Sequence, residues 1–407
     1  MFIKKSLVLL LACVTLGAHA QVQDAWQFDR LRQAALDTHP LMQGKRAARV
    51  AAQAERDGAE WQRYPTPSAE VSTQANGVGV VRVDQPLWTG GRITASIDAA
   101  RGRLDAATVG VDEAALDVTL KVIAATVEAQ RQQIRERHGL DGVRLHEELL
   151  AMIQRRVTQE VSSMADQRLA SSRLLASTNE LSVIQQARQN ALAQLTQLAG
   201  QPVRALAEQG GGDVPVPPSL DEAIRQALAF SPVLRRLAHE ESVAEAEIAT
   251  RRSAYMPQVV LRLESNRSER TTDNRGMLVL LAQPGAGLSA QSGVDAALAK
   301  REAARLAREA AERELRERVT LDWNEWTAAL NRSKAAGEAR SMSREVYESY
   351  ARQYTAGRKS WIDVLNAVRE AVQSEWTVAD THAQMLGASL RLRAHMGALP
   401  MSSALVR

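Results

Sequence analysis

Two stretches of this 407-residue chain, from about Gly91 to Val157 and from about Gly287 to Tyr354, contain no proline and read as helix from end to end. At 1.5 Å per residue, about 65 residues make a helix on the order of 100 Å long. No compact domain has that dimension, so extended helices must organise the chain. Leu116, Leu120, Ile123, Val127 and Ile134 recur at helical spacing in the first run, and Val319, Trp323, Trp326 and Leu330 in the second. This periodicity predicts a narrow coiled-coil seam rather than a broad core-facing stripe. Ala-rich intervals let neighbouring helices approach closely, and the scarcity of aromatics argues against a thick globular core.

A helix of that length that folds back needs a stop and a restart. Arg352–Ala371, RQYTAGRKSWIDVLNAVREA, supplies both. Gly357 suits a left-handed helix-ending conformation, Ser360 is a fair N-cap, and Asp363 in the next first turn suits the helix dipole. A fainter version, RRVTQEVSSMADQRLASSRL, occupies Arg155–Leu174, with Ser162 or Ser163 as the cap ahead of Asp166. Both read as tips of helical hairpins.

Other landmarks also occur twice. LRQAALDTHPLM (Leu31–Met42) resembles IRQALAFSPVLR (Ile224–Arg235), and the same offset pairs Pro65 with Pro257. DQPLWTGG…SIDAA (Asp84–Ala100) matches AQPGAGLS…GVDAA (Ala282–Ala297), and Asp166 then falls opposite Asp363. Such spacing predicts an internal two-fold repeat. The first copy covers 21–199, with a tip at about 157–166; the second covers 223–400, with a tip at about 354–363. A Gly/Pro-rich linker at 200–222 separates them, and 401–407 form a C-terminal tail.

Each copy carries two short strand-like segments before its long helix. These are Pro67–Asn76 and Gly79–Trp88 (a pair over about 67–88), then Pro257–Asn266 and Gly276–Gln283 (a pair over about 257–283). Val259, Leu261 and Leu263 alternate with Val260, Arg262 and Glu264, the mark of a strand with one apolar and one polar face. The last segment alternates poorly, which leaves its facing open. Four strands cannot close a barrel, and a lone sheet in lipid would leave its edges unpaired, so membrane-embedded strands must be pooled between chains. Trp61, Tyr64, Trp88 and Tyr255 flank the strands where an interfacial aromatic belt would sit. The alternative is a small soluble sheet with aromatic caps.

The N-terminus, MFIKKSLVLLLACVTLGAHA, combines Lys4 and Lys5, an apolar run and an A-x-A site ending at Ala20. It reads as a signal peptide over 1–20. Cys13 could serve as a lipidated cysteine, but the apolar run continues past it and favours cleavage after Ala20, leaving no cysteine in the mature chain. Loss of Lys4 and Lys5 lowers the formal charge from +4 to +2 (4 − 2 = 2). Basic residues are scattered among acids rather than clustered, unlike a nucleic-acid binder. No H-E-x-x-H, Cys/His cluster, phosphate-binding GxxxxGK[ST] or G-x-S-x-G turn occurs, so neither an enzyme nor a resident cofactor or metal is expected.

Duplicated halves, two strand pairs, two long hairpins and above all YTAGRKSWIDVLNA resemble the TolC family of outer-membrane channel proteins, over nearly the whole mature chain. The resemblance implies a mainly α fold with a small β part. Three chains would pool four strands each into a 12-stranded barrel in outer-membrane lipid, continued by an α-helical periplasmic tunnel. It implies a homotrimer whose tips close the tunnel and meet a periplasmic adaptor and an inner-membrane transporter. By that resemblance Tyr354, Lys359 and Asp166 form the periplasmic gate, while Asp363 projects into the pore entrance. Asn366 stands where the family has a second acid, which halves the carboxylates there, and Lys for the family's Arg at position 359 loses bidentate geometry. The function implied is passive conduction of exported substrate. The tip sequence and the non-lipidated N-terminus favour type I protein secretion with an ABC transporter; small-molecule efflux with a proton-driven pump is the alternative. A periplasmic coiled-coil adaptor is a third reading, weakened by the presence of two hairpins.

Overall fold

A computed structural model describes residues 26–71, 79–207, 217–267, 271–282 and 289–399. The signal peptide with Cys13, the far end of the first strand segment, Gly287, Gln283, the middle of the linker and the 401–407 tail lie outside the described residues. The element order is α1 (Phe28–Thr38), α2 (Pro40–Trp61), β1 (Thr66–Val71), β2 (Gly79–Trp88), α3 (Arg92–Thr158) and α4 (Met164–Ala199). It then recurs as α5 (Leu220–Phe230), α6 (Pro232–Arg252), β3 (Gln258–Arg267), β4 (Thr272–Leu281), α7 (Ser289–Thr355) and α8 (Trp361–His395). Helices α3 and α7 are each 67 residues long, unbroken over Arg92–Thr158 and Ser289–Thr355.

Local chemistry sets the breaks. A residue before proline avoids helical backbone, while proline itself is at home in the first turn. His39 and Ser231 therefore sit between helices, with Pro40 and Pro232 opening the next ones. Each preceding side chain also caps: His39 Nδ1 accepts from the Leu41 amide at 3.2 Å, and Ser231 Oγ from that of Leu234 at 3.3 Å. After β2 the chain turns sharply through Gly90, whose φ is +60°. A Cβ there would lie 2.5 Å from Cβ of Met256, so glycine is required twice over.

The chain divides into two compact units. The first comprises the described parts of Met1–Ala35, Lys121–Val214 and Thr327–Gly387. It holds both hairpin tips and is tied by a short parallel bridge in which Trp26 donates to Ala205 O and accepts from the Ala207 amide. Nearby, Trp376 Nε1 donates to Arg135 O at 3.0 Å while the Arg135 guanidinium covers its ring.

The second unit comprises Leu36–Leu120, Pro215–Trp326 and the described part of Ala388–Arg407. Ala223 and Ala227 of α5 pack on Val319 of α7 and Leu392 of α8, beside Trp323 and Trp326. Arg391 bonds Asp322 at 2.6 Å next to the buried His395. This unit also carries the sheet, an antiparallel meander in the order β1-β2-β3-β4.

Residues directly opposite in adjacent strands share a face. On one face Asp84 lies opposite Arg262, and Arg82 opposite Glu264. Arg262 grips Asp84 through two bonds of 2.8 and 2.9 Å, and Arg82 bonds Glu264 at 3.2 and 3.3 Å. The other face carries Val83, Leu263, Leu261 and Leu278, with Val259 and Leu280 in line. Leu278 and Leu280 are 69% and 68% exposed. A soluble sheet hides its apolar face and wets its charged one; here the arrangement is reversed, as in a membrane barrel.

Strand β4 begins at Thr272, four residues before the expected Gly276, and register settles its facing: Leu278 and Leu280 lie on the apolar side. Strand β1 begins one residue early, at Thr66, and is described only to Val71. The seam predicted for α3 is corrected. Leu116 and Ile123 are buried, but so are Ala115, Val118, Thr119, Val122, Thr126 and Ala129, a broad surface rather than a narrow stripe. Small side chains between the seam positions admit neighbours on several sides. In α7, Val319 is buried and Trp323 and Trp326 are partly buried, but Leu330 is exposed, so the predicted seam does not extend to it.

Two outcomes follow. Asp84→Ala or Arg262→Ala strands a partly buried charge, and each should cost about 1–2 kcal/mol in denaturant unfolding, the double variant much less than the sum. Separately, burial, with Arg318 and Arg391 nearby, pushes His395 down to about 4. Its folded pKa lies below its unfolded value near 6.5, so its contribution is present above that value and is lost as pH falls toward 4. Asp322 opposes in part, burial raising its pKa against the pull of Arg391. The stability difference between wild type and His395→Gln should therefore change by on the order of 3 kcal/mol across this window; parallel curves would contradict the assignment.

Candidate functional site

Both tips are built by one device used twice. Helix α3 ends with the Val161 amide donating to Arg156 O at 2.8 Å and the Glu160 amide to Val157 O at 2.9 Å. Helix α7 ends with the Arg358 amide on Gln353 O at 2.9 Å and the Gly357 amide on Tyr354 O at 3.0 Å. This is the paired closure that turns a helix end through one left-handed residue. That residue is Gly357, at φ +73°, in the second tip and Glu160, at φ +60°, in the first.

The restarts match as well. Ser163 Oγ accepts from the Asp166 amide at 3.1 Å, and the Asp166 carboxylate accepts from the Ser163 amide at 3.1 Å, a reciprocal box. Ser360 Oγ accepts from the Ile362 amide at 3.1 Å, and Asp363 accepts from the Ser360 amide at 3.3 Å. Ser163, not Ser162, is therefore the cap of α4. The Ser163 backbone bond, then its hydroxyl and more weakly the Trp361 indole, hold Asp166 below the usual carboxylate range.

The two tips meet in one apolar cluster. Leu149 and Ile153 of α3 and Ala170 of α4 pack against Tyr354 of α7 and Trp361, Val364, Leu365 and Val368 of α8. Tyr354 is 5% exposed, its hydroxyl has no hydrogen-bond partner, and the Arg156 guanidinium sits 5.1 Å from its ring centre. Lys359 lies 4.2 Å from the ring centre of Tyr350 and 3.8 Å from the Asp363 carboxylate. Asn366 is exposed in the second turn of α8. Tyr354 and Lys359 belong to the second tip and Asp166 to the first, and among the described residues of the single chain no hydrogen bond joins these three to one another.

Arg156, Trp361 and Glu160 belong to this site and were not singled out from sequence. Trp361 stood within the quoted segment, whereas Glu160 carries no residue-type signal for a left-handed turn. The four aromatics gather at one end of the sheet, where β1 starts, β2 ends and β3 starts, and all are exposed; the Trp61 and Tyr64 rings lie 5.1 Å apart, tilted by 49°.

Residues 223–398 match the family model of the outer membrane efflux protein. A search of curated proteins gave no match. Among solved structures, a membrane protein from Pseudomonas aeruginosa is similar at 18% identity and a TM-score of 0.83, covering 93% of this chain and 92% of that one. CusC is similar at 15% identity and 0.82, with 91% and 92% covered. VceC of Vibrio cholerae is similar at 15% identity and 0.77, with 91% and 96% covered. The fold is thus the one these membrane proteins share. Residues 223–398 carry the sequence pattern of the outer membrane efflux protein, and the described chain as a whole has the fold of the solved outer-membrane channels it resembles.

A non-glycine residue in the left-handed region bears a cost of about 1–2 kcal/mol. Glu160→Gly should therefore slow amide exchange in the last turn of α3 and raise the unfolding midpoint, while Gly357→Glu should do the reverse. Equal exchange in all three proteins would contradict the tip geometry.

Proposed function

We propose that three copies pool their sheets into a 12-stranded barrel and their hairpins into a periplasmic tunnel that passively conducts exported substrate. The observation that carries this reading is the exposed apolar sheet face bounded by two open edges, β1 and β4. An even-stranded meander places β4 of one copy antiparallel to β1 of the next, so three sheets close without a mismatch. Trp61, Tyr64, Trp88 and Tyr255 then form the periplasmic aromatic belt against outer-membrane lipid.

The tips act as the gate and as the meeting point with a periplasmic adaptor and an inner-membrane transporter. Tyr354 offers a hydroxyl without a partner in its own chain, and Lys359 and Asp166 lie on the same tips. Asp363, with Asn366 on the same helix, lines the entrance. The contacts holding such tips are worth about 0–1 kcal/mol each where exposed, so partner docking suffices to open them. The tip sequence YTAGRKSWIDVLNA supports protein export by a type I system with an ABC transporter. The second reading, small-molecule efflux with a proton-driven pump, is favoured by the description of the matched family.

Deleting the gene while profiling secreted proteins and drug sensitivity separates the two: loss of a secreted protein supports export, drug hypersensitivity supports efflux, and neither phenotype contradicts transport. For the gate, Tyr354→Phe combined with Lys359→Ala should raise single-channel conductance several-fold in planar bilayers. Unchanged conductance would refute those two roles.

A further inference from the structure

The helices of this chain are dense in Arg–Glu pairs, such as Arg305–Glu302 and Arg316–Glu312. Arg173 of α4 and Arg369 of α8 depart from that pattern. Neither has an acidic partner among the described residues, and both line one cavity of about 240 Å³ formed by α3, α4 and α8 within the first unit. The other polar lining groups are His146, Asn366, Gln373, Ser177 and Glu180.

His146 is 8% exposed, and its Nδ1 has no hydrogen-bond partner. Burial, and then the charge of Arg173, hold its pKa below the ordinary value, so the ring is neutral. With two arginines and one glutamate, the wall carries a net charge of +1 (2 − 1 = 1). Buried polar atoms in native proteins are nearly always paired, which makes the idle imidazole nitrogen a sign of an absent partner. Guanidinium groups match a carboxylate with two parallel bonds, and one net positive charge suits a carboxylate better than a dianionic phosphate.

We propose that this cavity binds a compact carboxylate, clamped by Arg173 and Arg369 and bonded by His146 and Asn366. The carboxylate comes either from a free small acid or from an acidic side chain of a bound protein. Glu180 works against it and limits affinity.

The test is calorimetric titration of acetate into the full-length protein in detergent, with sodium chloride at matched ionic strength as the control. Wild type should bind saturably. Arg173→Ala/Arg369→Ala should weaken binding at least about tenfold, and Glu180→Gln should strengthen it. His146→Phe should weaken it too. The two arginines and Glu180 are exposed, so these variants keep the fold, and unchanged melting temperatures check this. Displacement of acetate by a short glutamate-rich peptide assigns the site to a protein side chain, and failure to displace assigns it to a free acid. No saturable binding by wild type, or equal binding by all variants, overturns the proposal.

Discussion

A sheet whose charged face is paired and half-buried, and whose leucine-rich face is bare, cannot be at rest in water. Lipid accepts the leucines, but it offers nothing to the backbone N–H and C=O groups along β1 and β4. Those edges must find strands, and the meander of a single chain has none left to give. The proposed pooling of strands between copies follows from this constraint. It also gives a role to the Asp84–Arg262 and Arg82–Glu264 pairs, which join β2 to β3 across the two halves of the chain and pin their register on the charged face. A slip by one residue would carry arginines into lipid.

The tips satisfy a different constraint. A 67-residue helix that reverses must leave carbonyls unbonded at one end and amides at the other. The chain meets both demands locally, by a left-handed residue and then by a serine with an acid three residues on. Little of the tip therefore depends on long-range contacts beyond the cluster around Tyr354 and Trp361. Elements held this way open at small cost, which suits a part whose proposed work is to move.

Much of this was legible in the amino-acid order. The strand-like segment Gly79–Trp88 is β2 at its observed ends, and the absence of proline delimited α3 and α7 to within two residues. Serine and aspartate spacing marked both restarts. What escaped had physical causes. Glu160 occupies a left-handed position normally advertised by glycine or asparagine. The broad burial of α3 reflects packing by alanine and threonine, whose weak hydrophobic signal hides them beside leucine and isoleucine. The Met277–Leu281 half of strand β4 is apolar on both faces, so only its register against β3 could orient it. The cavity around His146 joins residues from α3, α4 and α8, and no local pattern announces such a meeting.

The central claim is that one chain is only part of a conduit. Native mass spectrometry of the mature protein, extracted from outer membranes in mild detergent, tests it most directly. The account predicts a particle of three chains that collapses to single chains on heating. A stable single-chain species, with no larger assembly at any concentration, would contradict it.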